Sequence, residues 1–250
     1  MALQEDFELQ GNWLFRYRGT LPIIILGVGI LVYIYTLDTR GTFLEDKEFF
    51  WKCYQILCLM VSLAGVFIRA YTVGHTPVNT SGRNTQNQIA DSLNQTGIYS
   101  VVRHPLYLGN FLMWLGISLL TCNIAFVTVF ILIYWLYYER IMYAEEQFLR
   151  EKFGTVYTRW ADRTPAFFPN FKLFVKPALS FSWKKVLKKE KNGVFALFLI
   201  FTIFDGIGVW LRGDTHYNYF LVTMTLLSGI AYCILKYLKK RTQVLNETGR

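Results

Sequence analysis

Five long apolar runs constrain the fold of this 250-residue chain more than any other feature. Four contain no charged residue, counting histidine as neutral, and one contains only Asp205. A membrane-spanning helix needs about 20 mostly apolar residues, and five such runs are too many for the buried helices of a soluble domain of this length. The chain is therefore predicted to be an integral membrane protein. The runs are 21–37, 53–68, 105–138, 192–211 and 215–235.

The run 105–138 is too long for a single span, because 34 residues of helix would extend about 51 Å. Its most polar point lies at 121–123, where a turn divides it into two helices. The predicted fold is an all-α, polytopic transmembrane bundle of about six spans with a tight helical hairpin at 105–143. The predicted spans are 21–38, 49–70, 105–121, 124–143, 193–212 and 216–237. The predicted units are a two-span segment at 1–72, a core at 73–191 and a two-span extension at 192–250.

The basic residues are sorted between the predicted loops. The chain has 26 Lys and Arg against 17 Asp and Glu, a formal net charge of +9. Lys and Arg concentrate in cytoplasmic loops, and 22 of the 26 lie in the N-terminal tail, 69–104, 139–191 and the C-terminal tail. Both termini are therefore predicted to be cytoplasmic. This sorting explains the charge without nucleic acid, and the lysine-rich stretch 184–191 is predicted to contact anionic headgroups.

Cysteine and histidine patterns do not predict a disulfide or a metal site. The four cysteines all lie in apolar segments without CxxC spacing, and the chain has only three histidines. Structural zinc sites need closely spaced Cys and His ligands. No metal cofactor is therefore predicted.

Two polar clusters remain unexplained by the membrane pattern. Arg103 and His104 follow a long amide-rich loop and precede Pro105 at the start of the third span. The fourth span continues into a stretch that contains Glu139, Glu145 and Glu146. Because 18 residues separate Cys122 from both His104 and Arg140, an antiparallel hairpin brings the two clusters to the same depth. A site at the cytoplasmic mouth of the hairpin is predicted, suited to a ligand that carries both charges and hydroxyl groups.

The same stretch of sequence resembles the isoprenylcysteine carboxyl methyltransferases and the wider group of phospholipid methyltransferases. The similarity covers about residues 84–172 and consists of ordered, specifically spaced motifs. They are GIYSVVRHPLYLG at 97–109, Cys122-Asn123 in the hairpin, Glu145-Glu146, and the later Phe153-Gly154, Tyr157 and Arg163-Thr164-Pro165. The resemblance implies an integral membrane enzyme whose S-adenosyl-L-methionine site is enclosed by the first motif, the preceding loop and the helix of the glutamate pair.

By position, the resemblance implies a set of cofactor-binding residues and leaves the substrate contacts open. The implied cofactor residues are Leu93 and Asn94 within the loop stretch 91–94, then Tyr99, His104, Pro105, Leu106, Tyr107, Gly109, Glu145 and Glu146. In the isoprenylcysteine enzymes an Arg lies four residues before the glutamate pair, where this chain has Ile141. The candidates to orient a substrate are instead Arg103, Arg140, Arg150 and Glu139, because arginine binds acidic groups through two parallel hydrogen bonds.

The predicted function is O-methylation of an acidic group on a membrane lipid or lipidated substrate, either a phosphate such as that of lipid A or a carboxylate such as prenylcysteine. An anionic acceptor needs no general base, so positioning and desolvation would carry catalysis. N-methylation of an amine headgroup is an alternative, with Glu139 or Glu146 as base. Two further alternatives are a sterol-reductase-like oxidoreductase with a nicotinamide cofactor, and a transporter or scaffold in which Asp205 is the functional residue. The predicted location is a bacterial inner membrane or an ER-like membrane.

Overall fold

The computed structural model describes residues 2–40, 48–78, 80, 88–213, 215–247 and 249. Its described residues form eight α-helices and two short 3₁₀ helices, and none of them forms a strand. The all-α architecture predicted from the apolar runs is therefore confirmed. The helices are α1 Leu3–Arg16, α2 Thr20–Arg40, α3 Glu48–Gly74, α4 Pro105–Leu119, α5 Ile124–Phe153, α6 Thr155–Ala161, α7 Trp183–Arg212 and α8 Tyr219–Arg241.

Five of these helices are long and apolar enough to cross a membrane, namely α2, α3, α5, α7 and α8. Each of the five corresponds to one of the six predicted spans. The remaining predicted span, 105–121, corresponds to α4. With 15 residues, α4 is shorter than the about 20 residues that a complete crossing requires. The helix α7 begins at Trp183, well before the predicted start at 193, so the proposed unit boundary at 191/192 lies inside a continuous helix.

The predicted hairpin between α4 and α5 is present, and its turn lies at the predicted position. Cys122 has a positive φ of 51°, which reverses the chain direction. The side chain of Asn123 accepts a hydrogen bond from the backbone N–H of Phe126 at 3.0 Å and so caps α5. At the other end, Pro105 occupies the first turn of α4, where its missing N–H leaves no bond unmade.

Small residues allow α3 and α4 to pack in close contact. A Cβ on Gly109 would lie 2.6 Å from Cγ of Arg69 and 2.9 Å from the carbonyl oxygen of Gly65. A Cβ on Gly116 would overlap with Ser62 and with the main chain of α3. Small residues serve this purpose in membrane helix pairs, because they let the backbones approach. The α3–α4 pair therefore fixes the relative positions of the side chains at its polar end.

The N-terminal segment forms the helix α1, although its sequence pattern indicated only a tail before the first span. In α1, Gly11 packs so closely on α5 that a Cβ would lie 2.7 Å from Cβ of Ala144. The Tyr137 hydroxyl donates a hydrogen bond to the carbonyl oxygen of Leu14 at 3.0 Å. This packing was not predicted, because the segment contains several acidic residues and only a small apolar part of it contacts α5.

The intramembrane carboxylate of Asp205 has a structural partner. Its Oδ2 accepts a hydrogen bond from the backbone N–H of Asn218 at 2.8 Å, and the residue is buried. Asn218 in turn caps α8 by accepting from the N–H of Leu221 at 3.3 Å. Asp205 therefore stabilises the connection between α7 and α8, which accounts for a carboxylate within an apolar helix.

Candidate active site

A cavity of about 380 Å³ opens beside the polar end of the α4–α5 hairpin. Its volume lies within the range of small-molecule and cofactor sites, about 300–1,000 Å³. The walls come from the end of α1, from α3, from the loop before α4, and from α4, α5, α6 and α7. Nine residues predicted from the sequence line it: Leu93, Asn94, Tyr99, Arg103, His104, Pro105, Leu106, Tyr107 and Glu145.

His104 links the two glutamates of α5 at the wall of the cavity. Its Nε2 lies 2.9 Å from Oε1 of Glu146, and its Nδ1 lies 3.6 Å from Oε2 of Glu145. Arg103 adds a second cation, with its Nε 3.4 Å from the same Glu146 oxygen. The His104 side chain is only 5% exposed, whereas that of Glu145 is 33% exposed. Glu146 therefore holds the imidazole from behind, while Glu145 presents its carboxylate to the cavity.

The backbone around His104 is fixed by a distant segment of the chain. The N–H groups of Arg103 and His104 donate to the carbonyl oxygens of Pro165 and Ala166 at 2.9 and 3.1 Å. The Tyr107 ring stacks on the imidazole with a centroid distance of 5.7 Å and an interplanar angle of 24°. The imidazole is therefore held by backbone hydrogen bonds, by ring stacking and by two carboxylates, as a preorganised binding group requires.

Tyr99 occupies a short 3₁₀ helix, Ile98–Ser100, on the loop side of the cavity. Gly97 begins this turn with a φ of 63°, a conformation that favours glycine, and its N–H donates to the carbonyl oxygen of Val175 at 2.8 Å. Trp160 of α6 donates from Nε1 to the carbonyl oxygen of Tyr99 at 3.2 Å. The segment before the first motif is thus tied to two later parts of the chain.

The surroundings of His104 affect its protonation. Burial alone lowers the pKa of the imidazole, but the hydrogen bonds and charges of Glu145 and Glu146 outweigh burial and raise that pKa above 6.5. A protonated imidazole between two carboxylates is the form that this geometry favours. The two glutamates therefore favour the charged form of His104 more than water does for a free histidine.

The raised pKa predicts that His104 stabilises the fold more in weakly acidic than in alkaline solution. A group whose folded-state pKa is raised contributes stability fully below its unfolded value, about 6.5, and loses it as pH rises through the folded value. We expect the Tm difference between the wild type and His104→Gln, measured in detergent, to be larger at about pH 6 than at about pH 9. A Tm difference that does not change with pH would contradict a charged His104.

Four other predicted site residues lie outside the cavity, and a fifth, Glu146, lies behind it. Gly109 contacts α3 instead, where it permits close packing. The Glu139 and Arg140 side chains pair with each other at 3.3 Å, and Arg140 lies over the Phe7 ring of α1. Arg150 is exposed on the last turns of α5.

The position of Arg140 follows from helix geometry. Counting from the hairpin turn gives the depth of a residue but not the face of the helix on which it lies. At about 100° per residue, Arg140 lies about 140° around α5 from Glu145. Arg140 therefore faces α1, and His104 contacts the glutamates a turn further along rather than the residues level with it.

Several cavity residues were not predicted from the sequence. Arg69 of α3 donates from Nε and Nη2 to the two carboxylate oxygens of Glu190 at 2.8 Å each, and from Nη1 to Oδ1 of Asn110 at 2.6 Å. Arg18 and Lys189 also line the cavity. The available signals were weak: Arg69 ends an apolar run, and Glu190 is the one acid in a lysine-rich stretch. Within the described parts of the chain, no group of three or more His, Cys, Asp or Glu could hold a metal ion.

Part of the predicted functional loop lies outside the described residues, namely residue 79 and residues 81–87. The described part of the loop reaches the cavity through Gln88, Ile89, Ala90, Ser92, Leu93 and Asn94. Asp91, within the predicted contact stretch 91–94, is exposed instead. The loop therefore forms one wall of the cavity between α3 and α4.

Parts of the chain are similar in sequence to known proteins. The phospholipid methyltransferase family model matches residues 54–156, which run from α3 into α6. The cobalt-zinc-cadmium resistance protein CzcN of Cupriavidus metallidurans is 32% identical over 126 residues, 50% of this chain and 56% of that protein. The protein-S-isoprenylcysteine O-methyltransferase of Schizosaccharomyces pombe is 27% identical over 158 residues, 63% of this chain and 66% of that protein. The protein-S-isoprenylcysteine O-methyltransferase B of Arabidopsis thaliana is 34% identical over 102 residues, 38% of this chain and 51% of that protein.

No solved structure matches this chain significantly. The chain spans between about a third and two thirds of the length of the curated relatives it matches. The matched region nevertheless contains the hairpin, His104 and Glu145, which line the cavity, and Glu146 behind it. Residues 54–156 thus match the phospholipid methyltransferase family model, and the chain is similar in sequence to protein-S-isoprenylcysteine O-methyltransferases.

Proposed function

We propose that the protein is an S-adenosylmethionine-dependent membrane methyltransferase that methylates an oxygen of an acidic group on a membrane lipid or lipidated molecule. The observation that carries this proposal is the group formed by His104, Glu145 and Glu146 at the wall of a cavity of cofactor size. The match to the phospholipid methyltransferase family and the similarity to isoprenylcysteine O-methyltransferases support methyl transfer over the reductase and transporter alternatives.

The residues of the cavity fit the chemical groups of S-adenosylmethionine. The protonated imidazole of His104 suits the cofactor's carboxylate, because a charged donor strengthens such a hydrogen bond. The Glu145 carboxylate faces the cavity and suits the amino group or the ribose hydroxyls. When bound, the cofactor supplies a methyl group on a positively charged sulfur. Leu93, Asn94 and Tyr99 would enclose the cofactor from the loop side.

The described geometry favours an acidic acceptor over an amine. An ammonium headgroup must lose a proton before it can accept a methyl group, so the enzyme would need a base within hydrogen-bond reach. Of the two candidate bases, Glu146 is engaged by His104 and Arg103, and Glu139 is exposed outside the cavity. An anionic oxygen needs no such base, and the protein's contribution is to position the acceptor and to exclude water.

The acceptor contact used in the resembling isoprenylcysteine enzymes is absent at the matching position. Ile141 occupies it and is fully buried in the apolar core. Arg103 lines the cavity and is the remaining arginine of the predicted set that an acceptor could reach. The proposal therefore covers both a carboxylate and a phosphate as the methylated group. The labelled product identifies which of the two accepts the methyl group.

The test is methyl transfer to lipids. Purified protein in detergent is incubated with isotopically labelled S-adenosylmethionine and a total lipid extract of the source cells, and labelled lipids are identified by mass spectrometry with fragmentation. We expect the added methyl group on a carboxylate or phosphate fragment, with transfer inhibited by S-adenosylhomocysteine. Label in a methylamine would favour the amine alternative, and the absence of any label would contradict the proposal.

A further inference from the structure

The cavity has a second polar wall besides the His104 group, formed around Arg69. Arg69 makes a two-point ion pair with Glu190 and a third hydrogen bond with Asn110, all between 2.6 and 2.8 Å. The Arg69 and Glu190 side chains are 16% and 5% exposed. A two-point arginine–carboxylate pair fixes the plane of the guanidinium as well as its position. The guanidinium of Arg69 is therefore held rigidly at the cavity wall.

Tyr99 lines the same cavity as the His104 group and Arg69. Burial raises the pKa of its hydroxyl, the Glu145 charge raises that pKa further, and the Arg69 charge opposes both. The hydroxyl therefore lies within electrostatic range of both Glu145 and Arg69, which line the same cavity.

Lys189 adds a cation to the second wall. It precedes Glu190 on α7, is half-buried and lines the same cavity. These two residues come from a helix outside the matched family region, which ends at residue 156. They lie just before the apolar part of α7 begins at residue 192, the depth at which lipid headgroups meet the hydrocarbon region.

We propose that Lys189 and the Arg69–Glu190 pair form the subsite that binds the anionic headgroup of the acceptor lipid. Lys189 contacts the headgroup, and Glu190 is a positioning residue that acts by orienting Arg69. The C-terminal helices then contribute directly to substrate specificity through α7. This inference rests on the proposed function, because the headgroup that binds here is the one that receives the methyl group.

The test separates acceptor binding from cofactor binding. Lys189→Gln and Glu190→Gln are compared with the wild type for the KM of total lipid extract in mixed micelles, for kcat, and for the Kd of S-adenosylhomocysteine. We expect each variant to raise the lipid KM by about tenfold or more, which is typical for the loss of a charged hydrogen bond. We expect cofactor affinity to change by less than about twofold. Glu190→Asp keeps the negative charge, so its lipid KM should lie closer to the wild-type value than that of Glu190→Gln.

Lys188→Gln is the matched control. Lys188 neighbours Lys189 in sequence but hydrogen-bonds Asn246 at 2.7 Å and does not line the cavity. The lipid KM of Lys188→Gln should equal that of the wild type. An unchanged KM in Lys189→Gln, or a loss of cofactor affinity that parallels the KM, would overturn the subsite while leaving the proposed function intact. A wild type that neither binds S-adenosylhomocysteine nor transfers label would overturn the proposed function and this inference together.

Discussion

Replacing His104 with alanine is expected to lower kcat/KM and the affinity for S-adenosylhomocysteine at least about 100-fold. The substitution removes the group that pairs with Glu145 and Glu146, and it leaves two neighbouring carboxylates without the cation between them. A hydrogen bond between the charged imidazole and the cofactor contributes about 1.5–3 kcal/mol, the displacement of Glu145 adds to this loss, and every 1.4 kcal/mol is a factor of about ten in affinity. Isothermal titration calorimetry and the lipid methylation assay measure the two effects.

His216→Ala serves as the control for the His104 prediction. His216 is exposed in the connection between α7 and α8, outside the cavity. The control should keep the wild-type affinity and rate. His104→Gln separates a folding defect from a loss of cofactor binding, because glutamine can retain a hydrogen bond to Glu146. Wild-type affinity in a folded His104→Ala protein would show that His104 does not bind the cofactor.

Replacing Gly116 with alanine is expected to lower the free energy of unfolding by about 1–3 kcal/mol, the usual cost of overpacking a tight contact. The new methyl group would overlap with Ser62 and with the carbonyl oxygen of Cys58, and a helix backbone cannot move aside locally. The Ser62 hydroxyl, which donates to the carbonyl oxygen of Met113 at 2.8 Å, would also be displaced. Thermal unfolding in detergent measures the change as a lower Tm.

Gly206→Ala is the matched substitution for Gly116→Ala. Gly206 lies within α7 and has nothing within 4 Å of the position that a Cβ would take. Its replacement should change stability by less than about 1 kcal/mol, in the direction of the higher helix propensity of alanine. Equal Tm shifts for the two variants would show that the α3–α4 contact is looser than the structure indicates.

Apolar run lengths and turn residues were sufficient to predict much of the fold. The length of the run 105–138 required a turn, and its most polar point lies where Cys122 and Asn123 form that turn. The same reasoning did not predict the true start of α7 at Trp183, because the lysines there belong to a helix that continues beyond the apolar segment. Hydropathy marks the apolar part of a helix, whereas capping by Ser182 determines where this one begins.

The candidate site was predictable only where its residues are linked by local geometry. His104 and the glutamate pair were placed together because the hairpin is antiparallel and symmetric in length. Arg69 and Glu190 are 121 residues apart and pair across two different helices, so no spacing rule connects them. Arg140 was assigned to the site because only its depth along α5 was considered. Its angular position on that helix directs its side chain toward α1 instead.

Equilibrium binding of S-adenosylhomocysteine to the purified, detergent-solubilised protein tests the central claim most directly, because it depends neither on the acceptor lipid nor on turnover. Titration calorimetry on the wild type should show saturable binding at one site per chain, and the binding should be lost in His104→Ala but kept in Lys189→Gln. The absence of saturable binding in a folded wild-type protein would contradict the assignment of the cavity to a methyl-donor cofactor.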